Sequence, residues 1–297
     1  MAEFEPRPPS GLSYRPDTFC DGWSTRYLHM RLASVRGYEH RYGGRPREDD
    51  AAVTCDPASG AVVFAVADGV SAAEHPQIGA QLAARSAAEE MLSQLRAGCG
   101  LDLDWDRLLI TVHWQLIEQA RRIVHRPDAG PCIAEELLAT TLVAGLAMPT
   151  RRGIVVSVVS VGDSGVWEIR HGRIARVIGG KLGHPDEPLS SAVDPMPRLP
   201  ANGSGPHTFR LDPGTVVLVG TDGFGDALDD AGTGPVASLF IRELRRPVPP
   251  LRFAHLVDFS RRTFDDDRTL LALWPATDTQ DGAGAAPHTK GAASRCR

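Results

Sequence analysis

Lysine is almost missing from this sequence of 297 residues: among 32 basic residues only Lys181 and Lys290 are not arginine, a bias that reads as coding preference. There is no basic excess either. Asp and Glu total 37, the net charge is −5, and a dedicated nucleic-acid binder would show the opposite balance. Cysteine is scarce, and Cys20, Cys55, Cys99, Cys132 and Cys296 are odd in number, scattered, and without a C-x-x-C pair. That pattern supports neither a disulfide framework nor a zinc site, and it fits a reducing cytoplasm. No long hydrophobic run exists: the longest, Ile154–Val161, falls far short of the roughly 20 residues a membrane span needs. The opening MAEFEPRPPS lacks the apolar core of a secretory signal, and no internal repeat is visible. The expected protein is cytoplasmic, with neither membrane nor nucleic acid as a partner.

What is present is an ordinary globular composition, 42% hydrophobic and 23% charged. Length alone suggests about two domains. Residues 1–25 read as a flexible Pro- and Gly-rich leader and 276–297 as a disordered Ala/Gly/Thr-rich tail, leaving one domain over 26–275. Within it, Ala51–Cys55 and Ala61–Ala67 are short strands joined by the turn Asp56-Pro57-Ala58-Ser59-Gly60. Apolar residues at helical spacing predict helices over about Pro76–Ala97 and Asp104–His125, the second stopped by Pro127. Strands are expected at Thr140–Ala147, Ile154–Val161 and Val166–Ile169, then a long irregular stretch from Gly179 to Pro206. Strands resume at His207–Leu211 and Thr215–Thr221, helices at Val236–Arg245 and Leu251–Arg262, and a last strand at Thr269–Trp274. The order does not alternate as βαβ, so the class is α+β with largely antiparallel sheets. Val62–Ala67, Ile154–Val161 and Val216–Val219 look buried on both faces, which implies sheet packed on sheet with helices outside.

Aspartates sit at the ends of these buried strands. Asp49 and Asp50 open one; Asp68-Gly69 and Asp222-Gly223 each close another; Asp265, Asp266 and Asp267 precede the last. Aspartate is depleted inside strands, and a carboxylate at the mouth of a buried strand is unfavourable unless paired or coordinated. One Asp-Gly is usually a turn. Four such sites, distant in sequence but each at a core strand's end, can converge at one sheet edge. Oxygen donors without His or Cys select Mg²⁺, Mn²⁺ or Ca²⁺. The glycines allow a tight turn and let a carbonyl approach a metal.

The segments RPREDDAAV (Arg45–Val53), VFAVADGV (Val63–Val70), LLATTLVAG (Leu137–Gly145), SVGDSGVWEIRHGRI (Ser160–Ile174), VLVGTDGF (Val217–Phe224) and DDDRTLLAL (Asp265–Leu273) resemble, in order and approximate spacing, the metal-dependent type-2C (PPM) Ser/Thr protein phosphatases of the bacterial branch. The resemblance spans about residues 30 to 275. It implies a four-layer α-β-β-α sandwich with two central antiparallel sheets, and a site with two Mn²⁺ or Mg²⁺ ions. Asp68 would bridge them. Asp50, with Asp49 beside it, and the Gly69 carbonyl would serve one ion, and Asp222 and Asp266 the other. Asp266 is chosen because the family's ligand stands three positions before the residue opening the strand, here Thr269. Arg45, five residues before Asp50, matches a phosphate-binding arginine. Asp163 matches an aspartate that supports the site or joins a third metal. The implied activity is hydrolysis of phosphoserine and phosphothreonine in phosphorylated protein substrates, opposing a Ser/Thr kinase, by a monomer.

The chain departs from the family at Val70-Ser71-Ala72-Ala73, which carries no general acid, and at Asp267, where Asn is usual. The 179–206 stretch occupies a variable flap position. The alternative is a weak or inactive phosphatase-fold module that binds phosphoproteins or regulates a partner. Gly162-Asp163-Ser164-Gly165 also resembles a serine-protease nucleophile loop, but Val166 stands where a glycine is needed. Gly179-Gly180-Lys181 is no phosphate-binding P-loop, since no Ser or Thr follows the lysine. His40 and the other histidines lack metal spacing.

Overall fold

The computed structural model describes residues 7, 16–180, 194–200, 205–228, 231–259 and 264–276. Among the described residues eleven strands form two antiparallel sheets. The first contains β1 (Thr18–Ser24), β2 (Leu28–Val35), β7 (Gly165–Arg170), β8 (Arg173–Gly179), β10 (Val216–Gly220) and β11 (Arg268–Pro275), in the spatial order β1-β2-β11-β10-β7-β8. The second contains β3 (Asp50–Cys55), β4 (Val62–Ala67), β5 (Leu142–Thr150), β6 (Gly153–Val161) and β9 (His207–Leu211), in the order β3-β4-β5-β6-β9.

The sheets face each other across an apolar layer that includes Leu28, Met30, Phe64, Val66, Val143, Val217, Val219 and Leu271. Helices α2 (Pro76–Arg96), α3 (Trp105–Val124) and α4 (Pro131–Leu138) cover the five-stranded sheet. Helices α6 (Pro235–Glu243) and α7 (Pro250–Val257) cover the six-stranded one. The short α1 (Tyr38–Gly43) and α5 (Asp222–Gly225) complete the set. The molecule is therefore the expected α-β-β-α sandwich. Sandwiched strands carry apolar residues on both faces, as in the fully buried β4 (VVFAVA) and β10 (VVLVG).

Local chemistry sets several boundaries. The Asp104 carboxylate accepts a hydrogen bond from the Arg107 backbone N–H at 2.9 Å and caps α3. That helix ends at His125, whose φ of 53° is left-handed. In the β3–β4 hairpin, Asp56 accepts from the Ser59 N–H (2.9 Å) and hydroxyl (2.6 Å).

The structure differs from the sequence expectations in particular places. Thr18–Ser24, read as part of the leader, is β1, an edge strand paired along its length with β2. Helices α1 and α4 are too short to show a helical period. Helix α7 stops at Val257 rather than running towards Arg262, and residues 260–263 lie outside the described set. Most of the 179–206 stretch, 14 of the leader's 25 residues and nearly all of the tail also lie outside it. Of that stretch, residues 194–200 are described, with Met196 bridged to Thr140. The four described cysteines are free thiols. Among the described residues no helix is long and apolar enough to cross a membrane.

Candidate metal centre

Antiparallel pairing gathers the aspartates at one end of the sandwich. Asp50 is paired opposite Ala67, so the start of β3 and the end of β4 place Asp49, Asp50 and Asp68 together. Gly220 is paired opposite Leu270, so the end of β10 and the start of β11 bring Asp222 beside Asp266 and Asp267. The two sheets are then tied across their edges. Buried Asp49 accepts the Thr221 hydroxyl at 2.8 Å, and Thr221 Oγ1 accepts the Thr269 N–H at 3.1 Å.

Crowding shows in the carboxyls' proton affinity. Asp68 is pushed well above the usual carboxylate range by burial first, then by Asp49, Asp222 and Asp266, and it shares a hydrogen bond with Asp222. Asp49 is raised by burial, then by Asp267 and Asp266. Asp266 faces the mouth of the cleft, yet partial desolvation of its carboxyl and the charges of Asp267 and Asp222 raise it to about 6. Asp50 is half-buried, and its Oδ1 accepts from the Ala51 N–H at 2.9 Å.

The Asp68 backbone is held from three directions. Its N–H donates to Thr141 Oγ1 (3.0 Å), and its carbonyl accepts from the Thr141 N–H (2.7 Å) and the Thr140 hydroxyl (2.8 Å). Asp163 lies half-buried in the β6–β7 turn beside Ser164, whose hydroxyl is 2.7 Å from Thr141 Oγ1. Ser164 is fully buried in that contact, which removes it as an exposed nucleophile.

Neither Gly69 nor Gly223 has the left-handed backbone that a glycine turn suggests. The reason for glycine at both is space. A Cβ at Gly69 would lie 2.6 Å from the Pro76 carbonyl, and one at Gly223 would lie 2.0 Å from the Asp267 carbonyl oxygen.

Several residues at the site have partners that the sequence did not signal. Asp267 accepts from the Gly37 N–H at 2.6 Å and from the Glu48 N–H, and its Oδ1 is 3.0 Å from His40 Nδ1. Burial opposes ionisation of Asp267, but His40 and these N–H groups outweigh it and hold the carboxyl below its usual value. Buried His40 is raised to about 9: desolvation works against protonation, while Asp267 and then Glu48 favour it more strongly. Ligand-type atoms of His40, Asp266 and Asp267 lie within 4.8 Å of one another. Because His40 and Asp267 form a close buried ion pair and Asp267 accepts two backbone N–H groups, the pair reads as a brace that leaves Asp266 facing the cleft.

Arg45 and Glu48 form a second unit. Arg45 Nη2 is 2.7 Å from buried Glu48 Oε1 and donates to the Ser71 carbonyl at 3.1 Å. The Ser71 hydroxyl donates to Glu48 Oε2 at 2.9 Å. The proximity of Glu48 to Arg45 could have been noticed in RPRED; its burial and its bond to Ser71 could not.

The chain matches the family model described as Protein phosphatase 2C over residues 36–257, and it belongs to that family. Solved structures with the same fold include a bacterial serine phosphatase (15% identity, TM-score 0.56, covering 83% of this chain and 96% of that one). PppA, described as a regulatory component of the type VI secretion system in Pseudomonas aeruginosa, is similar at 18% identity and a TM-score of 0.55, over 86% of this chain and 100% of its own. RsbX, crystallised with magnesium, is similar at 12% identity and a TM-score of 0.52, over 87% and 100%. No curated protein sequence matches the chain.

Proposed function

We propose that this protein is a metal-dependent phosphatase that hydrolyses phosphoserine and phosphothreonine in protein substrates. The observation that carries the reading is the crowding of Asp49, Asp68, Asp222 and Asp266 at one cleft, where burial and mutual repulsion disfavour the ionised forms of Asp49, Asp68 and Asp266. Clustered hard oxygen donors of this kind suit Mn²⁺ or Mg²⁺. Asp68, Asp50 with Asp49 beside it, and the Gly69 carbonyl would hold one ion, and Asp68 with Asp222 and Asp266 the other; Asp163 would support the site or a third ion. Bound there, such ions lower the pKa of a shared water towards neutrality and supply a hydroxide nucleophile.

The chain's own residues orient and screen. Arg45 Nη2 is committed to Glu48 and Ser71, so Arg45 would offer its remaining N–H groups to phosphate oxygens. The His40–Asp267 brace sets the loop that carries Asp266. Ser71 donates its hydroxyl to Glu48, which leaves proton delivery to the departing alkoxide to solvent. On this reading the partners are phosphoproteins made by a Ser/Thr kinase, and the enzyme works as a cytoplasmic monomer.

Hydrolysis of p-nitrophenyl phosphate with and without Mn²⁺ tests the reading, followed by a phosphopeptide panel. Turnover should require the metal and be lost in Asp68→Ala and Asp222→Ala. Absence of metal-dependent turnover, or unchanged turnover in both variants, would make the chain a non-catalytic phosphatase-fold module.

A further inference from the structure

The same strands that end at the aspartates begin or end, at their other side, on a second concavity. Strand β10 runs from Val216 at this cavity to Gly220 near Asp222, and β11 runs from Arg268 near Asp266 to Trp274 and Pro275 at the cavity. The space is about 500 Å³, within the range of small-molecule sites. Its rim carries Arg170, Arg245, Arg246, His29 and His171, and no carboxylate is among the lining residues. That is a local inversion of charge in a chain whose net charge is −5.

The positive charge is largely uncompensated. Among the described residues neither Arg245 nor Arg246 makes an ion pair, whereas Arg170 reaches Asp212 at 3.4 Å on the exposed side and also lies near Glu168. Burial, then the nearby Arg31, pushes the His29 imidazole below its usual pKa, so the charge of the rim comes from its arginines. The arginines also stand on a firm base: the Trp274 indole N–H donates to the Leu244 carbonyl at 2.8 Å, fixing the end of α6 against β11. Leu244 and Trp274 are buried and give the cavity an apolar floor beneath its cationic rim.

We infer that this cavity is a second ligand site, remote from the aspartate cleft, for a phosphorylated small molecule of nucleotide size. Arginine forks match phosphate oxygens in pairs, and the apolar floor accommodates the uncharged body of the ligand. The inference does not depend on the proposed catalytic activity.

The test is calorimetric titration of the full chain with adenosine 5′-monophosphate, with pyrophosphate and adenosine as comparisons. EDTA is present so that metal-assisted phosphate binding at the aspartates is absent. Saturable binding is expected, with adenosine at least about tenfold weaker because the charge-assisted bonds are missing. Arg245→Ser/Arg246→Ser should lose the binding while keeping the thermal transition and p-nitrophenyl phosphate turnover of the parent. Both arginines are exposed, so their loss leaves the core intact. Arg45→Ala should retain binding. Four results would overturn the inference: no saturable binding of either phosphate-bearing probe, equal binding of adenosine, binding unchanged in the double variant, or binding lost in Arg45→Ala.

Discussion

Glu48 offers a test in which two substitutions at one residue separate the orientation of Arg45 from the neutralisation of its charge. Its side chain is 3% exposed, its Oε1 is 2.7 Å from Arg45 Nη2, and its Oε2 accepts from Ser71 at 2.9 Å. It therefore does two things to Arg45: it orients the guanidinium and it neutralises part of its charge. Glu48→Ala removes the orientation and the negative charge together. A charge-assisted hydrogen bond contributes about 1.5–3 kcal/mol. Arg45 is 38% exposed, so we discount the lost orientation to about 1 kcal/mol, which relief of charge repulsion of similar size offsets, leaving phosphate affinity nearly unchanged. Glu48→Gln keeps an acceptor for Arg45 and a hydrogen-bond partner for Ser71 but removes the negative charge. With an effective dielectric of about 40 and a separation of about 8 Å, relieving that repulsion is worth about 1 kcal/mol, or about fivefold tighter binding. The assay is the inhibition constant of inorganic phosphate against p-nitrophenyl phosphate turnover in Mn²⁺, with kcat followed separately. Equal affinity in the two variants, or binding in Glu48→Gln no tighter than in the parent, would refute the reasoning.

Other outcomes follow from the same geometry. Mn²⁺ at about 100 times its dissociation constant should stabilise the fold by about 2.7 kcal/mol, raising Tm by about 5–10 °C, and Asp68→Asn should abolish most of that rise in calorimetric scans. A Cβ at Gly223 would meet the Asp267 carbonyl oxygen at 2.0 Å, so Gly223→Ala should destabilise by about 1–3 kcal/mol in urea and blunt the Mn²⁺ response. Gly205→Ala, where an added Cβ meets nothing within 4 Å, is the control and should do neither. Asp56 is held below its usual pKa of 3.8 by the Ser59 hydroxyl and then the Ser59 N–H. A depressed folded pKa contributes stability above the unfolded value and loses it as pH falls through the folded one. Asp56→Asn should thus be less stable than the parent by about 1 kcal/mol at pH 7, with the gap closing below about pH 4. A gap constant from pH 7 to pH 3 in urea titrations would contradict that assignment.

The readable parts of this protein were those governed by local pattern. Strands buried on both faces announce themselves as unbroken apolar runs, as in β4 and β10, and α2 and α3 are long enough to repeat their apolar positions several times. The aspartates stood out because each interrupts such a run where a charge is unfavourable. Edge strand β1 (TFCDGWS) has no such run: it is only partly buried, and its partner β2 defines it. Helix α4, eight residues long, gives too short a period to register.

The amino-acid sequence by itself determined the layer order, the strand ends that carry carboxylates, and the hard-oxygen character of the candidate site. Only the tertiary structure decided what holds those carboxylates in place. Asp267 joins Gly37 and Glu48 across separations of 230 and 219 residues, and Thr221 joins Asp49 across 172. Bonds of that kind leave no periodic trace, because each depends on where two distant strand ends meet once the sheets have packed. The same holds for the cationic cavity, whose arginines come from the end of strand β7 and the segment after helix α6, which only the folded sandwich brings together.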